Sequence, residues 1–121
     1  MFHPLKQTNT PFREILLLEK AICYLKVNWS GPEQGTRGMV AEILKELGPA
    51  PIPVFLVDCS GSESEHIQSW LVAQANVVMD FKFGGWGEII YLNNGQIIHF
   101  ILNPKTLGWE KTKATLSSWM F

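Results

Sequence analysis

Trp29-Ser30-Gly31-Pro32-Glu33-Gln34 stands between two segments of opposite periodicity, and the junction decides the reading of the chain. Before it, residues 21–28 read as a strand buried on both faces, apolar on consecutive positions from Ala21, with Lys26 breaking the run near its end and Asn28 closing it. After it, Met39, Val40, Ile43, Leu44 and Leu47 recur at the helical period until Gly48-Pro49. Ser30 and Glu33 have the spacing of a capping box. The serine hydroxyl can accept from the Glu33 amide while the carboxylate reaches back to the Ser30 amide. Such a cap is worth about 0.5 to 2 kcal/mol, and the acid also suits the positive end of the helix dipole. The segment is thus a buried strand turning sharply into a long amphipathic helix.

Outward from this unit the same alternation continues. Upstream, Thr10-Pro11 reads as an N-cap with proline at the first helical position, opening a short helix with Phe12, Ile15 and Leu16 on one side. Downstream, residues 52–58 form a second apolar strand closed by Cys59-Ser60-Gly61. Ser62 and Glu65 again have capping-box spacing, ahead of a helix holding Ile67, Trp70 and Leu71. The last third changes character. Residues 88–92 and 96–102 flank Asn93-Asn94-Gly95, which tolerates the positive φ of hairpin turns. Pro104 ends that hairpin, and Trp109, Lys113, Leu116 and Met120 mark a terminal helix. The expected fold class is α/β: a mixed sheet of parallel strands plus a C-terminal antiparallel hairpin, flanked by helices. Residues 1–9 read as an N-terminal extension and residues 10–121 as a single domain.

With 121 residues and 13.7 kDa, the chain can hide roughly two thirds of its unfolded surface, enough for one domain. Ten basic against eleven acidic side chains leave a net charge of -1, which argues against a nucleic-acid partner or an anionic membrane surface. No apolar run approaches the ~20 residues of a membrane span. The first residues show neither the apolar core nor the cleavage site of a secretory leader, so the expected location is cytoplasmic. Cys23 and Cys59 each lie inside an apolar segment and read as buried small hydrophobes, too far apart along neighbouring strands to pair.

The order of elements and the frame Trp29-x-Gly31-Pro32 resemble the thioredoxin-like family over about residues 10 to 120. In that family the tryptophan, glycine and proline frame two redox cysteines in the pattern W-C-G-P-C-K. Here Ser30 and Glu33 stand at the cysteine positions and Gln34 at the lysine position. The family's cis-proline aligns with Gly87, and its buried acid with Tyr24. The resemblance therefore implies the scaffold and argues against disulfide exchange, since a serine hydroxyl cannot replace a thiolate.

Other chemistry is faint. His3, His66 and His99 have no context placing a base beside Ser30, and Glu63, Glu65 and His66 are too generic for a metal site, so neither metal nor cofactor is expected. Gly84-Gly85-Trp86-Gly87 precedes a strand instead of opening a helix and so lacks phosphate-cradle geometry. It reads as a turn or as a ligand-contact loop, and Trp86 as a contact residue or an inward plug. In open α/β sheets ligands bind at the carboxyl ends of the strands. The candidate binding residues are accordingly Trp29, Ser30, Gly31, Pro32, Glu33, Asp58, Trp86 and Gly87, with Trp86-Gly87 brought to the rim by the resemblance. The resulting expectation is a redox-inactive module that binds a protein or an extended peptide segment. Two alternatives stay open: an atypical thiol oxidoreductase or glutathione-dependent protein using Cys59, and a structural assembly subunit. The strand from Gln96 to Leu102 is apolar enough to suggest a homodimer.

Overall fold

The computed structural model describes Leu5, residues 10–61 and residues 63–121. Two faces of one sheet organise the core. Strand β1 (Lys20–Lys26) is central and pairs in parallel with β2 (Val54–Asp58) and antiparallel with β3 (Ile89–Asn93); β3 pairs antiparallel with β4 (Gln96–Ile101), giving the order β2-β1-β3-β4. Side chains alternate across a strand, so β1 feeds both layers. Ala21, Cys23 and Leu25 join Phe12, Ile15, Ile67 and Leu71 on the face covered by α1 (Phe12–Ile15) and α3 (Ser64–Ala75). Ile22 and Tyr24 join Val40, Ile43, Leu44, Leu116 and Met120 on the face covered by α2 (Gly31–Leu47) and α5 (Trp109–Met120). The two-sided burial explains the unbroken apolar run at residues 21–25.

Both parallel strands end earlier or start later than the apolar runs suggest. β1 stops at Lys26 because the Asn28 amide leaves the ladder and donates to Ser60 Oγ at 3.0 Å. β2 starts at Val54 because Pro51 and Pro53 have no amide to give; the Pro53 carbonyl still accepts from Ile22. At the N-terminus, Pro11 itself occupies the cap position of α1, not Thr10, and makes no side-chain cap bond of its own. Helix α3 has Glu63 at its cap without a side-chain bond; Ser62, and with it the expected capping box, lies outside the described residues, as does His3. The Glu63 carboxylate instead accepts from the Phe12 amide at 3.3 Å, tying α1 to α3.

In the hairpin, Asn94 (φ 51) and Gly95 (φ 79) take the left-handed conformation that a tight turn between right-twisted strands requires. A Cβ on Gly95 would stand 2.7 Å from the Leu16 carbonyl oxygen, so the turn packs directly on the end of α1. The strands carry a bulge: Tyr91 pairs with His99 and Leu92 with Ile97, leaving Ile98 as the extra residue. The single terminal helix expected from the spacing is two. A turn of helix, α4 (Pro104–Leu107), is capped by Asn103 Oδ1; Gly108, at φ 96, breaks the chain before α5.

Candidate functional site

The cap at the β1–α2 junction forms as expected on one side only. The Glu33 amide donates to Ser30 Oγ at 3.2 Å, with Pro32 in the first turn. The carboxylate does not reach back to the Ser30 amide. It turns inward, is fully buried, and neither oxygen has a hydrogen-bond partner; Arg37 Nη2 lies 3.6 Å from Oε2, one turn along the helix. The Tyr24 hydroxyl, beneath it, donates to the Glu33 carbonyl at 3.2 Å. Burial raises the Glu33 pKa from its ordinary value, opposed by Tyr24, Arg37 and Lys26. Burial, reinforced by Glu33 and Glu88, likewise pushes the Tyr24 phenol up, so it stays protonated.

The second half of the rim is the loop before β3. Glu88, read from sequence as the first residue of a strand, is outside β3 and fully buried. Its carboxylate gathers the loop around itself: Oε2 accepts from the amides of Gly84 (2.6 Å) and Gly85 (3.2 Å), and Oε1 from that of Trp86 (3.1 Å). Burial raises the Glu88 pKa in spite of these donors. Gly85 (φ 80) and Gly87 (φ 85) supply the backbone conformations that let one carboxylate meet three successive amides. Gly87 is further confined, because a Cβ there would lie 2.7 Å from both Tyr24 Oη and Thr36 Cγ2. The loop is therefore pinned, not a loose turn.

Two large aromatics crown this arrangement. Trp29 is 55% exposed and Trp86 50% exposed, so Trp86 does not plug the interior. A Cβ built on Gly84 would meet the Trp86 indole nitrogen at 2.7 Å, and one on Gly85 the Trp29 indole nitrogen at 3.1 Å, which places the two rings over adjacent glycines. Phe83 packs edge-on against Trp29, centroids 6.5 Å apart at 84°.

Of the remaining sequence candidates, Gly31 and Pro32 are exposed beside Ser30, whereas Asp58 has a structural job. Asp58 Oδ1 accepts from the amide (3.0 Å) and hydroxyl (2.8 Å) of Ser60, and Oδ2 faces Lys26 Nζ at 3.6 Å, locking the ends of β1 and β2 together. Its pKa is lowered, the Ser60 and Lys26 contacts outweighing burial. Cys59 and Cys23 are free and completely buried in the layer facing α1 and α3. The β1–β2 register pairs Cys23 with Phe55, four residues short of Cys59, or about 13 Å at ~3.3 Å per residue. Burial raises both thiols far above the usual range, and for Cys59 the carboxylates of Glu88 and Asp58 push the same way. His66 and His99 are exposed on α3 and β4, and His99 stacks on Trp119, so neither serves Ser30. Among the described residues no three of His, Cys, Asp and Glu converge on a point that would hold a metal.

Sequence reasoning missed Glu88, Tyr24 as a donor, Arg37 and Thr36. Glu88 did carry a signal, a lone carboxylate between a glycine loop and an unbroken apolar run.

Solved structures similar to this one share its architecture nearly end to end. Thioredoxin O2 from Arabidopsis thaliana superposes with a TM-score of 0.59 at 14% identity, over 97% of this chain and 93% of that one. Thioredoxin from Plasmodium falciparum does so with a TM-score of 0.59 at 13% identity, over 99% and 100%. The chain has the thioredoxin fold. A putative oxidoreductase with a thioredoxin fold reaches a TM-score of 0.60 at 7% identity, over 94% of this chain and 91% of that one. At such identities the likeness is one of fold. No protein-family model matches the sequence, and no curated protein matches it significantly. The expected α/β class and mixed sheet are thereby established, with one parallel pair and the rest antiparallel. No helix of the described residues is long and apolar enough to cross a membrane.

Proposed function

We propose that this thioredoxin-fold protein does not exchange disulfides and acts by binding an extended segment of another protein across Trp29, the Ser30-Gly31-Pro32 turn and the Trp86-Gly87 loop. The observation that carries the reading is the pair of half-exposed tryptophans, Trp86 on the loop that Glu88 holds in shape and Trp29 at the β1–α2 junction, standing over the adjacent Gly84 and Gly85 of that loop. Large aromatics left in water on a rigid loop supply contact area at small entropic cost, which is why tryptophan is enriched at binding hot spots. The chemistry that the frame houses in thioredoxin-like proteins has no counterpart at residues 30 and 33. Both thiols of the chain are buried with raised pKa values, which disfavours the thiolate that exchange needs.

Two measurements test the reading. The purified protein should not accelerate reduction of a disulfide substrate by dithiothreitol; turnover that disappears in Cys59→Ser would establish the oxidoreductase alternative instead. Trp86→Ala should weaken capture of a bound segment by ~2 kcal/mol with little change in melting temperature, because the ring buries only half its surface in the fold. A large fall in melting temperature with unaltered binding would refute the role of Trp86.

A further inference from the structure

The Trp86 loop encloses a carboxylate without a counter-ion. Of the acids around the rim, Asp58 faces Lys26 and Glu33 faces Arg37, each at 3.6 Å. Glu88 meets the amides of Gly84, Gly85 and Trp86, and among the described residues no cation stands within ion-pair distance of it. One of those amides belongs to Trp86 itself, and the other two to the glycines over which the exposed rings lie. Trp86 lies over Gly84 and Trp29 over Gly85, with Phe83 set perpendicular to Trp29. Aromatic faces bear the negative end of the ring quadrupole and attract a cation placed over them. The Glu88 carboxylate buried just below, with no cation paired to it, attracts the same cation when it is ionised. An acidic side chain at this place would be repelled by both, and a neutral one would gain ring contact alone.

We infer that the segment bound at this rim presents a cationic side chain, lysine or arginine, to Trp29 and Trp86 above Glu88. The inference rests on the segment-binding reading and adds the chemistry of the residue that is read. It is tested on the full, ¹⁵N-labelled chain, following the indole N–H resonances of Trp29 and Trp86. The probes are three blocked pentapeptides, Ala-Ala-Xaa-Ala-Ala, with lysine, norleucine or glutamate at the centre. The lysine peptide should bind about tenfold more tightly than the norleucine peptide, and the glutamate peptide most weakly. Raising the salt to about 0.5 M should reduce the lysine advantage without abolishing it, since salt screens the exposed ammonium but reaches the buried carboxylate and the ring contact much less. Trp29→Leu should weaken both peptides and bring lysine down to the level norleucine shows with the same variant. Equal binding of lysine and norleucine at low salt would overturn the cation preference and leave the segment site standing. Indole resonances that move with none of the three peptides would overturn both.

Discussion

Replacing Glu88 by alanine removes the one group around which the Gly84–Gly85–Trp86 loop is folded. Three amides lose their acceptor, at 2.6, 3.2 and 3.1 Å in the parent. They do not suffer equally. Gly84 and Trp86 are exposed, so water can take over their amides, while Gly85 is buried and its amide is left unpaired. An unsatisfied buried donor costs ~1 to 3 kcal/mol, and exchanging two charge-assisted bonds for water adds about 1 kcal/mol more. Relief of the desolvated carboxylate, whose raised pKa reports that penalty, offsets part of the sum. The expected net loss is ~2 kcal/mol, which for a domain of this size lowers Tm by roughly 8 °C. Glu88→Gln keeps one carbonyl acceptor and should lose about half as much. Urea unfolding followed by tryptophan fluorescence gives the free energies, and hydrogen exchange at Gly84, Gly85 and Trp86 locates the loss. An alanine variant that melts within about 3 °C of the parent, with the three amides still protected, would refute the view that Glu88 organises the rim.

Four further outcomes follow from the same geometry. Glu33 and Glu88 both have raised pKa values, so the stability they contribute is fully present below the ordinary glutamate value of 4.5 and is lost as pH rises through their folded values. Lowering the pH from about 7.5 toward 5 should therefore raise the urea midpoint, by less in Glu33→Gln; an unchanged response in that variant would show that Glu33 is not the group responsible. Native protein should leave both thiols unreacted with Ellman's reagent until denaturant is added, and prompt reaction of either would contradict the burial of Cys23 and Cys59. Gly87→Ala should destabilise by ~2 to 4 kcal/mol, since its Cβ would clash with Tyr24 and Thr36 at a φ of 85°; an undiminished Tm would exclude the packing described. Pairing of two copies along the strand from Gln96 to Leu102 is proposed as a weak association, because Ile97 and Ile101 are buried and the bulge at Ile98 distorts the edge. Sedimentation should show a dimer only at high micromolar concentration and a monomer for Ile98→Lys; a parent that stays monomeric throughout would eliminate it.

The scaffold was legible because period and burial coincide. Residues 21–25 are apolar in succession because β1 is covered on both faces, and the 3.6-residue repeat ending at Leu47 marks the face that α2 turns toward Ile22 and Tyr24. Asn94-Gly95 was readable because the turn demands left-handed backbone. Errors fell where a residue's job depends on a partner distant in sequence. The extent of β1 is set by Ser60, 32 residues beyond Asn28, and the break between α4 and α5 follows from Gly108 at φ 96, where periodicity alone suggested a single terminal helix. Asp58, at the end of a strand, resembles a rim residue in sequence and becomes a clasp only when Ser60 and Lys26 fold onto it.

Glu33 and Glu88 show why the site in particular resists reading from sequence. At position 33 a carboxylate three residues after a serine satisfies a local rule, and half of that rule holds, for the amide bond to Ser30 Oγ forms. The carboxylate obeys a non-local constraint instead: Tyr24, Arg37 and Lys26 surround it, and it enters the interior where solvent-facing capping was expected. Glu88 reverses the case. Its neighbours in sequence are apolar and advertise a strand, yet it serves backbone amides two to four residues before it. Each acid is expensive to bury, and the fold compensates them differently. Glu88 receives three amide donors and lacks a cation, while Glu33 has a cation nearby and lacks hydrogen bonds. Two acids with such different surroundings should respond differently to substitution by their amides. Glutamine at 88 loses acceptors the loop needs, whereas glutamine at 33 gives up no hydrogen bond and sheds a charge that the interior disfavours. The rim's shape therefore depends on position 88, and its titration on both.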